Sequence, residues 1–201
     1  MIEQILAVII GAIFVKNFVL TRFLGLCSFI GVSRDMKSSL SMGVAVVFVT
    51  TCASMITWLV YRYLLLPFHI EFLRTISFIL IIASFVQFVE MVILKSSPGL
   101  YRGLGIYLPL ITVNCAVLGV AVLNSEEFFL NGKPVSGGFL LSIVQGFCVG
   151  VGYTLAICLM AGLRERLEMA NIPKSLRGAP IAFIIASLMS MAFMGFIGFK
   201  F

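Results

Sequence analysis

Long uncharged apolar runs, separated by short polar turns, cover almost the whole chain. Most of these runs approach the ~20 residues that a helix needs to cross the ~30 Å hydrocarbon core of a bilayer. Pro, Gly, Asn and Ser mark the connections, as is typical of turns. The pattern therefore predicts an all-α integral membrane protein with six transmembrane helices. The predicted spans are residues 4–31, 40–66, 72–94, 103–124, 137–162 and 179–199.

The first and fourth spans depart from a regular helix. Span 1 contains two uncharged runs separated by Lys16 and Arg22, and as one straight helix it would be longer than the bilayer is thick. Span 4 contains several glycines and Pro109, and a proline inside a helix frees a carbonyl group and bends the helix. Both spans are therefore predicted to be broken.

The two irregular spans share a short sequence pattern. A shift of 88 residues places Cys27 on Cys115, and each cysteine is followed four residues later by Gly and then by Val. Each pattern lies in the first span of a three-span half, and because three is odd, the second half crosses the membrane in the opposite direction. We therefore predict one membrane domain built from two inverted three-helix repeats. The predicted domain is 1–201, with repeat 1 at 1–97 and repeat 2 at 98–201.

Interrupted segments in corresponding positions of inverted repeats meet near the membrane midplane and form the site. Cys27 and Cys115 are therefore expected to face each other. Each Gly-Cys stretch is expected to be a loop buried inside the protein, because non-helical backbone at that depth needs protein or a cavity around it. The residues predicted to form the environment of the cysteines are Gly25, Gly31, Asn114 and Gly119.

Two matched cysteines allow three interpretations. They can be small packing residues, which are common at helix contacts in membranes, a disulfide, or a pair of metal ligands. A disulfide closes nothing useful inside an apolar bundle. Zinc and iron–sulfur centres generally take four protein ligands, so ligation requires two more from another chain. The residues predicted to serve helix packing elsewhere are Cys52, Cys148, Cys158, Gly146, Gly150 and Gly152.

Composition and charge support the membrane class. The chain is 61% hydrophobic and 11% charged, whereas soluble domains are about 45–50% apolar and about 25% charged. The net charge of +6 does not indicate nucleic acid, because the basic residues lie in short loops and form no patch. The loops after spans 1, 3 and 5 hold eight Lys and Arg residues and the opposite side holds four, which favours both termini outside the cytoplasm.

Several residue runs along the chain match a known pattern. Residues 16–27, KNFVLTRFLGLC, followed by GVS at 31–33, resemble the family that contains the A subunit of the bacterial Rnf complex and the D and E subunits of the sodium-translocating NADH:quinone reductase. The resemblance covers the whole chain. The other runs that carry it are 73–75, 87–92, 97–102, 108–120 and 164–167.

The resemblance implies a membrane electron-transfer subunit of a redox-driven Na⁺ or H⁺ pump, a ferredoxin:NAD⁺ oxidoreductase complex in the bacterial cytoplasmic (inner) membrane. This chain would hold no complete active site. It would supply Cys27 and Cys115 as half of the ligands of an intramembrane [2Fe–2S] cluster, and a homologous sister subunit of opposite orientation would supply the other half. Other membrane and peripheral subunits would carry flavins and iron–sulfur clusters.

Alternatives remain for the function and for the charged residues inside spans. Inverted repeats with broken helices are also the architecture of secondary transporters, so the competing hypothesis is an ion transporter-like subunit without a redox centre. Lys16, Arg22 and Glu90 are candidates for an ion path or for tuning of the cluster. The alternative is that Lys16 and Arg22 reach the membrane interface and that Glu90 reaches the interface or pairs with a neighbouring subunit.

Overall fold

The structure, a computed structural model, describes residues 9, 11–15, 17–68, 71–96, 108–127, 137–169, 173 and 178–195. Within these ranges every regular element is helical. The helices are α1 (Phe18–Arg22), α2 (Leu26–Val32), α3 (Met36–Val60), α4 (Arg74–Ser96), α5 (Leu108–Thr112), α6 (Cys115–Glu127), α7 (Gly138–Glu168) and α8 (Ala179–Met194). A π-helical turn, Gly11–Val15, precedes α1, and a second one, Tyr61–Leu65, continues α3 into a short helical turn, Leu66–Phe68. A 3-10 turn, Glu71–Leu73, precedes α4.

Four helical stretches of the described chain are long and apolar enough to cross a membrane. A further apolar helix, Ala179–Met194, is shorter. The prediction of an all-α protein with several membrane passes is therefore confirmed. The four long stretches are Met36–Phe68, Arg74–Val92, Pro109–Glu127 and Gly138–Leu167. The ends of the first and last predicted spans at 4–8 and 196–199, Lys16, and the predicted repeat boundary at 97/98 lie outside the described residues.

Several predicted boundaries differ by a few residues, since α3 begins at Met36 and not at 40 and α6 ends at Glu127 and not at 124, and the end of the fifth span differs most. The fifth span was predicted to end at 162, but α7 continues to Glu168, so Arg164 and Arg166 lie in the last turns of the helix and not in the following loop. Arg and Glu are good helix formers, and a cation near a helix C-terminus interacts favourably with the unpaired carbonyl groups there. The first charged residues after the fifth apolar run therefore mark the end of that run, whereas helix α7 continues beyond them.

The first predicted break is confirmed just before Cys27. Helix α1 ends at Arg22, and Phe23 takes the left-handed conformation, with φ of 55°. The N–H of Leu24 donates to the carbonyl of Phe18 (3.1 Å), which closes the helix end in the manner of a Schellman motif. Gly25, also left-handed with φ of 79°, then precedes α2. Two left-handed residues close together turn the chain out of one helix and into the next.

The second predicted break is confirmed just before Cys115, but its cause differs from the prediction. Pro109 is the second residue of α5, and the helix continues past it, since the carbonyl of Pro109 accepts a bond from the Val113 N–H (3.4 Å). The interruption comes later, at Val113 and Asn114, where Asn114 Oδ1 accepts a bond from the Ala116 N–H (3.0 Å). Asparagine is among the preferred N-cap residues, so the cap of α6, and not the proline, sets the break.

Helices α3 and α7 share the largest interface among the described helices and run antiparallel. Gly150 lies against Val47, and Gly146, one turn earlier on α7, lies against Ser54, later on α3. A Cβ atom added at Gly150 would lie 2.7 Å from the Val47 Cα atom, so the two backbones approach too closely for a side chain. Gly152 contacts the π-helical turn before α1. The predicted packing role of these glycines is confirmed.

Two polar contacts show which helix ends share a side of the bundle. Arg74 at the start of α4 pairs with Glu126 at the end of α6, with 3.0 Å between Nη2 and Oε1. Arg164 near the end of α7 donates to the carbonyl of Ile30 near the end of α2 (2.9 Å). These pairs are the ones expected when successive spans alternate in direction.

Candidate functional site

Both matched cysteines lie in the first turn of a helix, and not in a loop as predicted. Cys27 is the second residue of α2, and Cys115 is the first residue of α6. The helices start at these points because the left-handed Gly25 and the capping Asn114 stand directly before them. The N–H groups in the first turn of a helix have no partner within the helix. At the start of α6 the Asn114 side chain bonds the Ala116 N–H, and the Cys115 thiol donates to the carbonyl of Val113 (3.9 Å).

Exposure separates these two cysteines from the other three. Cys27 and Cys115 are exposed, whereas Cys148 is buried and Cys52 and Cys158 are half-buried. The intermediate or full burial of the latter three fits their predicted packing role. The expectation that the protein buries the Gly-Cys stretches is wrong for the two thiol groups within this chain, because α2 and α6 both begin with their cysteine on the outer surface.

A hydrogen bond joins the two cysteine stretches. Asn114 Nδ2 donates to Ser28 Oγ (3.2 Å), and both side chains are buried. Ser28 follows Cys27 directly, and Asn114 precedes Cys115 directly. The structure therefore places the two stretches side by side although 86 residues separate the bonded pair. That the two sulfur atoms face each other stays a prediction.

The three glycines predicted around the cysteines have different surroundings. Gly25 is buried, and a Cβ atom added there would lie 2.8 Å from Asn114 Oδ1. Gly119, in α6, has the Leu24 Cδ1 atom 2.8 Å from the position of its Cβ. Gly31, in α2, is exposed, and nothing lies within 4 Å of a Cβ atom added to it. Gly25 and Gly119 therefore serve the contact between the two stretches, whereas Gly31 belongs to the exposed face.

This difference gives a matched pair of substitutions. We expect Gly25→Ala to lower the free energy of unfolding by about 1–2 kcal/mol for the left-handed conformation alone, with a further loss from the contact with Asn114. We expect Gly31→Ala to leave stability unchanged or to raise it by up to about 1 kcal/mol, because alanine favours helix. Thermal unfolding of the purified protein in detergent measures both, and equal midpoints for the two variants would contradict the assignment.

Side chains from α7 and α8 satisfy the irregular backbone of the first span. Ser190 Oγ donates to the carbonyl of Leu20 (2.7 Å), and Arg164 donates to that of Ile30 (2.9 Å). A third bond runs in the opposite direction, from Asn17 Nδ2 before α1 to the carbonyl of Gly152 in α7 (3.0 Å). Since the membrane core offers no water to such groups, protein has to bond them. The broken span is thus fixed to the rest of the bundle on both sides of Cys27.

Two of the three charged residues predicted within the spans, Arg22 and Glu90, are among the described residues. Arg22 is exposed at the end of α1, with its guanidinium carbon 5.8 Å from the centroid of the Phe18 ring. Glu90 is half-buried in α4. Roles of Lys16, Arg22 and Glu90 in an ion path or in tuning a redox centre stay predictions.

Tyr153 is a residue of the site that the sequence did not indicate. It is buried in α7, and its hydroxyl donates to Ser28 Oγ (2.7 Å). In sequence, a tyrosine inside a long apolar helix has no feature that separates it from a packing residue. The only available signal was a serine directly after Cys27 in a membrane span, since a buried hydroxyl requires a partner.

The donor set fits half of an iron–sulfur ligand set. Within the described residues no group of three or more His, Cys, Asp or Glu side chains could hold a metal ion. Iron–sulfur clusters of the [2Fe–2S] type take four ligands, commonly Cys thiolates. Cys27 and Cys115, both exposed, have the chemistry of two such ligands. A complete set requires two more ligands from elsewhere.

Comparison with known families assigns the chain to one of them. The family described as "Rnf-Nqr subunit, membrane protein" matches residues 5–200. The chain belongs to the Rnf-Nqr family. This confirms the resemblance seen in the residue runs, and it places the chain among membrane proteins over almost its whole length.

Relatives within the Rnf-Nqr family match the chain nearly end to end. It is similar to the A subunit of the ion-translocating oxidoreductase complex of Vibrio vulnificus, 54% identical over 98% of each chain. The protein of the same name from Syntrophotalea carbinolica is 52% identical over 98% of this chain and 97% of the relative. The A subunit of the Na⁺-translocating ferredoxin:NAD⁺ oxidoreductase complex of Acetobacterium woodii is 53% identical over 96% of each.

Proposed function

We propose that the chain is the A subunit of an ion-translocating oxidoreductase complex in the bacterial cytoplasmic membrane. The complex would be a ferredoxin:NAD⁺ oxidoreductase that moves Na⁺ or H⁺, and this chain would be one of its electron-transfer subunits, without a complete active site of its own. The support is the identity of 52–54% to relatives with these names over 96–98% of the chain. The distribution of basic residues along the sequence favours an orientation with both termini on the extracytoplasmic side.

We further propose that Cys27 and Cys115 supply two of the four ligands of an intramembrane [2Fe–2S] cluster. The observation that carries this assignment is their exposure: of the five cysteines only these two are exposed, each in the first turn of a helix. The Ser28–Asn114 bond keeps the two helix starts together. A homologous sister subunit of opposite orientation would cover this face and supply the other two thiolates.

The chain itself would hold the site and shape its surroundings. A bound cluster would take up and pass on single electrons. Backbone N–H groups at the starts of α2 and α6 would donate toward the sulfur atoms, and such bonds favour the more negative, reduced form. The apolar helices around the site would keep water away from it. The other membrane and peripheral subunits would carry the flavins and iron–sulfur clusters that exchange electrons with it.

The proposed architecture is six spans arranged as two inverted repeats. Its support is the order of elements, which occurs twice: a broken span with a cysteine after the break, a long helix and a shorter helix. The two long helices, α3 and α7, occupy equivalent places in this order and pack antiparallel. An antiparallel pair of equivalent helices is what a two-fold axis in the membrane plane requires.

The proposal that the cluster is shared is tested on the sister subunit. The complex is purified anaerobically with alanine at the two matched cysteines of the sister subunit, and assembly is checked by native mass spectrometry. We expect an assembled complex that lacks one [2Fe–2S] signal in electron paramagnetic resonance (EPR) spectra, with two iron atoms fewer. A complete signal in the assembled variant would contradict a shared site.

A further inference from the structure

We propose that Tyr153 is a positioning residue for the cysteine pair. Through Ser28, its hydroxyl would fix the relative position of Cys27 and Cys115, and thereby the geometry and the midpoint potential of the cluster that they would share. This inference rests on the proposed function and assigns a role to a buried residue that lies in α7, outside both cysteine stretches.

The Ser28 hydroxyl is the junction of the site. It accepts from the hydroxyl of Tyr153 (2.7 Å) and from Asn114 Nδ2 (3.2 Å), and it donates to the carbonyl of Gly25 (3.0 Å). A serine hydroxyl has one donor and two acceptor positions. All three positions are used, so a rotation of the Ser28 side chain would break at least one of these hydrogen bonds.

The amide of Asn114 has a fixed orientation as well. Its Oδ1 atom accepts from the Ala116 N–H (3.0 Å), which can only donate, so the Nδ2 atom has to be the one that points to Ser28. The same side chain therefore caps α6 and reaches the other cysteine stretch. A displacement of Ser28 is transmitted through Asn114 to the start of α6, where Cys115 is the first residue.

Tyr153 provides the fixed point in this arrangement. It is 1% exposed and lies inside the long helix α7. Its neighbour Gly152 lies against the backbone of the turn before α1, with 3.2 Å between the position of an added Cβ and the carbonyl oxygen of Ala12. Gly150 lies against the backbone of α3. Because α7 is held on two sides at this level, the tyrosine hydroxyl has little freedom to follow a movement of Ser28.

The first test is Tyr153→Phe in the whole complex, purified anaerobically. Phenylalanine fills the same space but leaves one acceptor position of the buried Ser28 hydroxyl empty. We expect a shifted midpoint potential in a redox titration and a broader EPR signal, because Ser28 loses one of its hydrogen bonds and the two thiol groups are then held less firmly. Both quantities are measured on the loaded fraction, so a lower yield of complex does not affect them.

The matched control is Tyr61→Phe, which removes a hydroxyl from another buried tyrosine, located beyond the end of α3. It should leave potential and line shape as in the wild type. Ser28→Ala should shift both quantities in the same direction as Tyr153→Phe. The double variant should show no more than the larger single shift, since residues in one network are not additive.

The outcomes separate the two proposals. If Cys27→Ala leaves the cluster signal in place, the ligand role proposed for Cys27 is wrong, and the positioning role of Tyr153 is then wrong as well. If Cys27→Ala removes the signal but Tyr153→Phe and Ser28→Ala titrate like the wild type, only the positioning role is wrong. A shift of equal size in Tyr61→Phe would also overturn it, since the effect would then not depend on the bond to Ser28.

Discussion

Alanine at position 27 or at position 115 is expected to remove the intramembrane [2Fe–2S] signal from the complex. Ferredoxin-dependent NAD⁺ reduction should fall by more than about 100-fold, because loss of a residue that merely supports a ligand already costs 10–100-fold. Alanine has no ligand atom, and both thiol groups are exposed where a partner can reach them. EPR spectra, iron content and electron transfer of anaerobically purified complex are the measurements.

The remaining cysteines provide the controls for this experiment. Cys52→Ala and Cys158→Ala remove thiol groups that are half-buried within the membrane helices. Both variants should keep the full cluster signal. A complex that retains the full signal with alanine at 27 or 115 would exclude that residue as a ligand. Loss of the signal in the Cys158 variant as well would point to a general assembly fault.

Leucine at position 150 is expected to prevent assembly of the protein. A Cβ atom at Gly150 would already lie 2.7 Å from the Val47 Cα atom and 2.8 Å from Thr50 Oγ1, and the Val47 backbone cannot move aside without moving α3. Extra methylene groups in a well-packed interior cost about 1–3 kcal/mol of stability. Because the clash here is with backbone, we expect a cost of about 3 kcal/mol or more. Gly150→Ala should be destabilising but folded. Size-exclusion chromatography and thermal unfolding in detergent report both effects.

The same helix offers a control for this prediction. Gly162 also lies in α7, but the nearest atom to an added Cβ is the flexible Met36 Cε at 3.7 Å. Gly162→Ala should therefore assemble normally, and higher helix propensity should leave its stability equal or better by up to about 1 kcal/mol. If Gly150→Leu assembled as well as Gly162→Ala, the close contact between α3 and α7 would be wrong.

Local features of the sequence correctly predicted the broken spans. The interruption before Cys27 depends on Gly25, a residue type that adopts the left-handed conformation without steric cost and is therefore common at helix ends. The interruption before Cys115 was expected from Pro109, yet Asn114 makes it. Proline is the more visible signal in sequence, whereas the capping role of an asparagine depends on the backbone conformation that it happens to occupy.

Interactions between distant segments could not be predicted in the same way. Sequence placed Arg164 in a loop, but it lies in α7 and bonds the end of α2, 134 residues earlier. Tyr153 bonds Ser28 across 125 residues. Neither contact leaves a local pattern, because each depends on how α7 is positioned against the first span.

The sequence by itself determined the membrane class, the all-α fold, the family and the two cysteines in matched positions. These properties depend on composition, on the length of apolar runs and on residue types at fixed spacing, all of which are local. Only the tertiary structure decided that the cysteine stretches lie side by side, that both thiol groups are exposed, and that the Tyr153 hydroxyl bonds Ser28. The physical reason is that exposure and hydrogen bonding within a membrane protein are set by the packing of helices, which close glycine contacts such as Gly150 against Val47 bring into position.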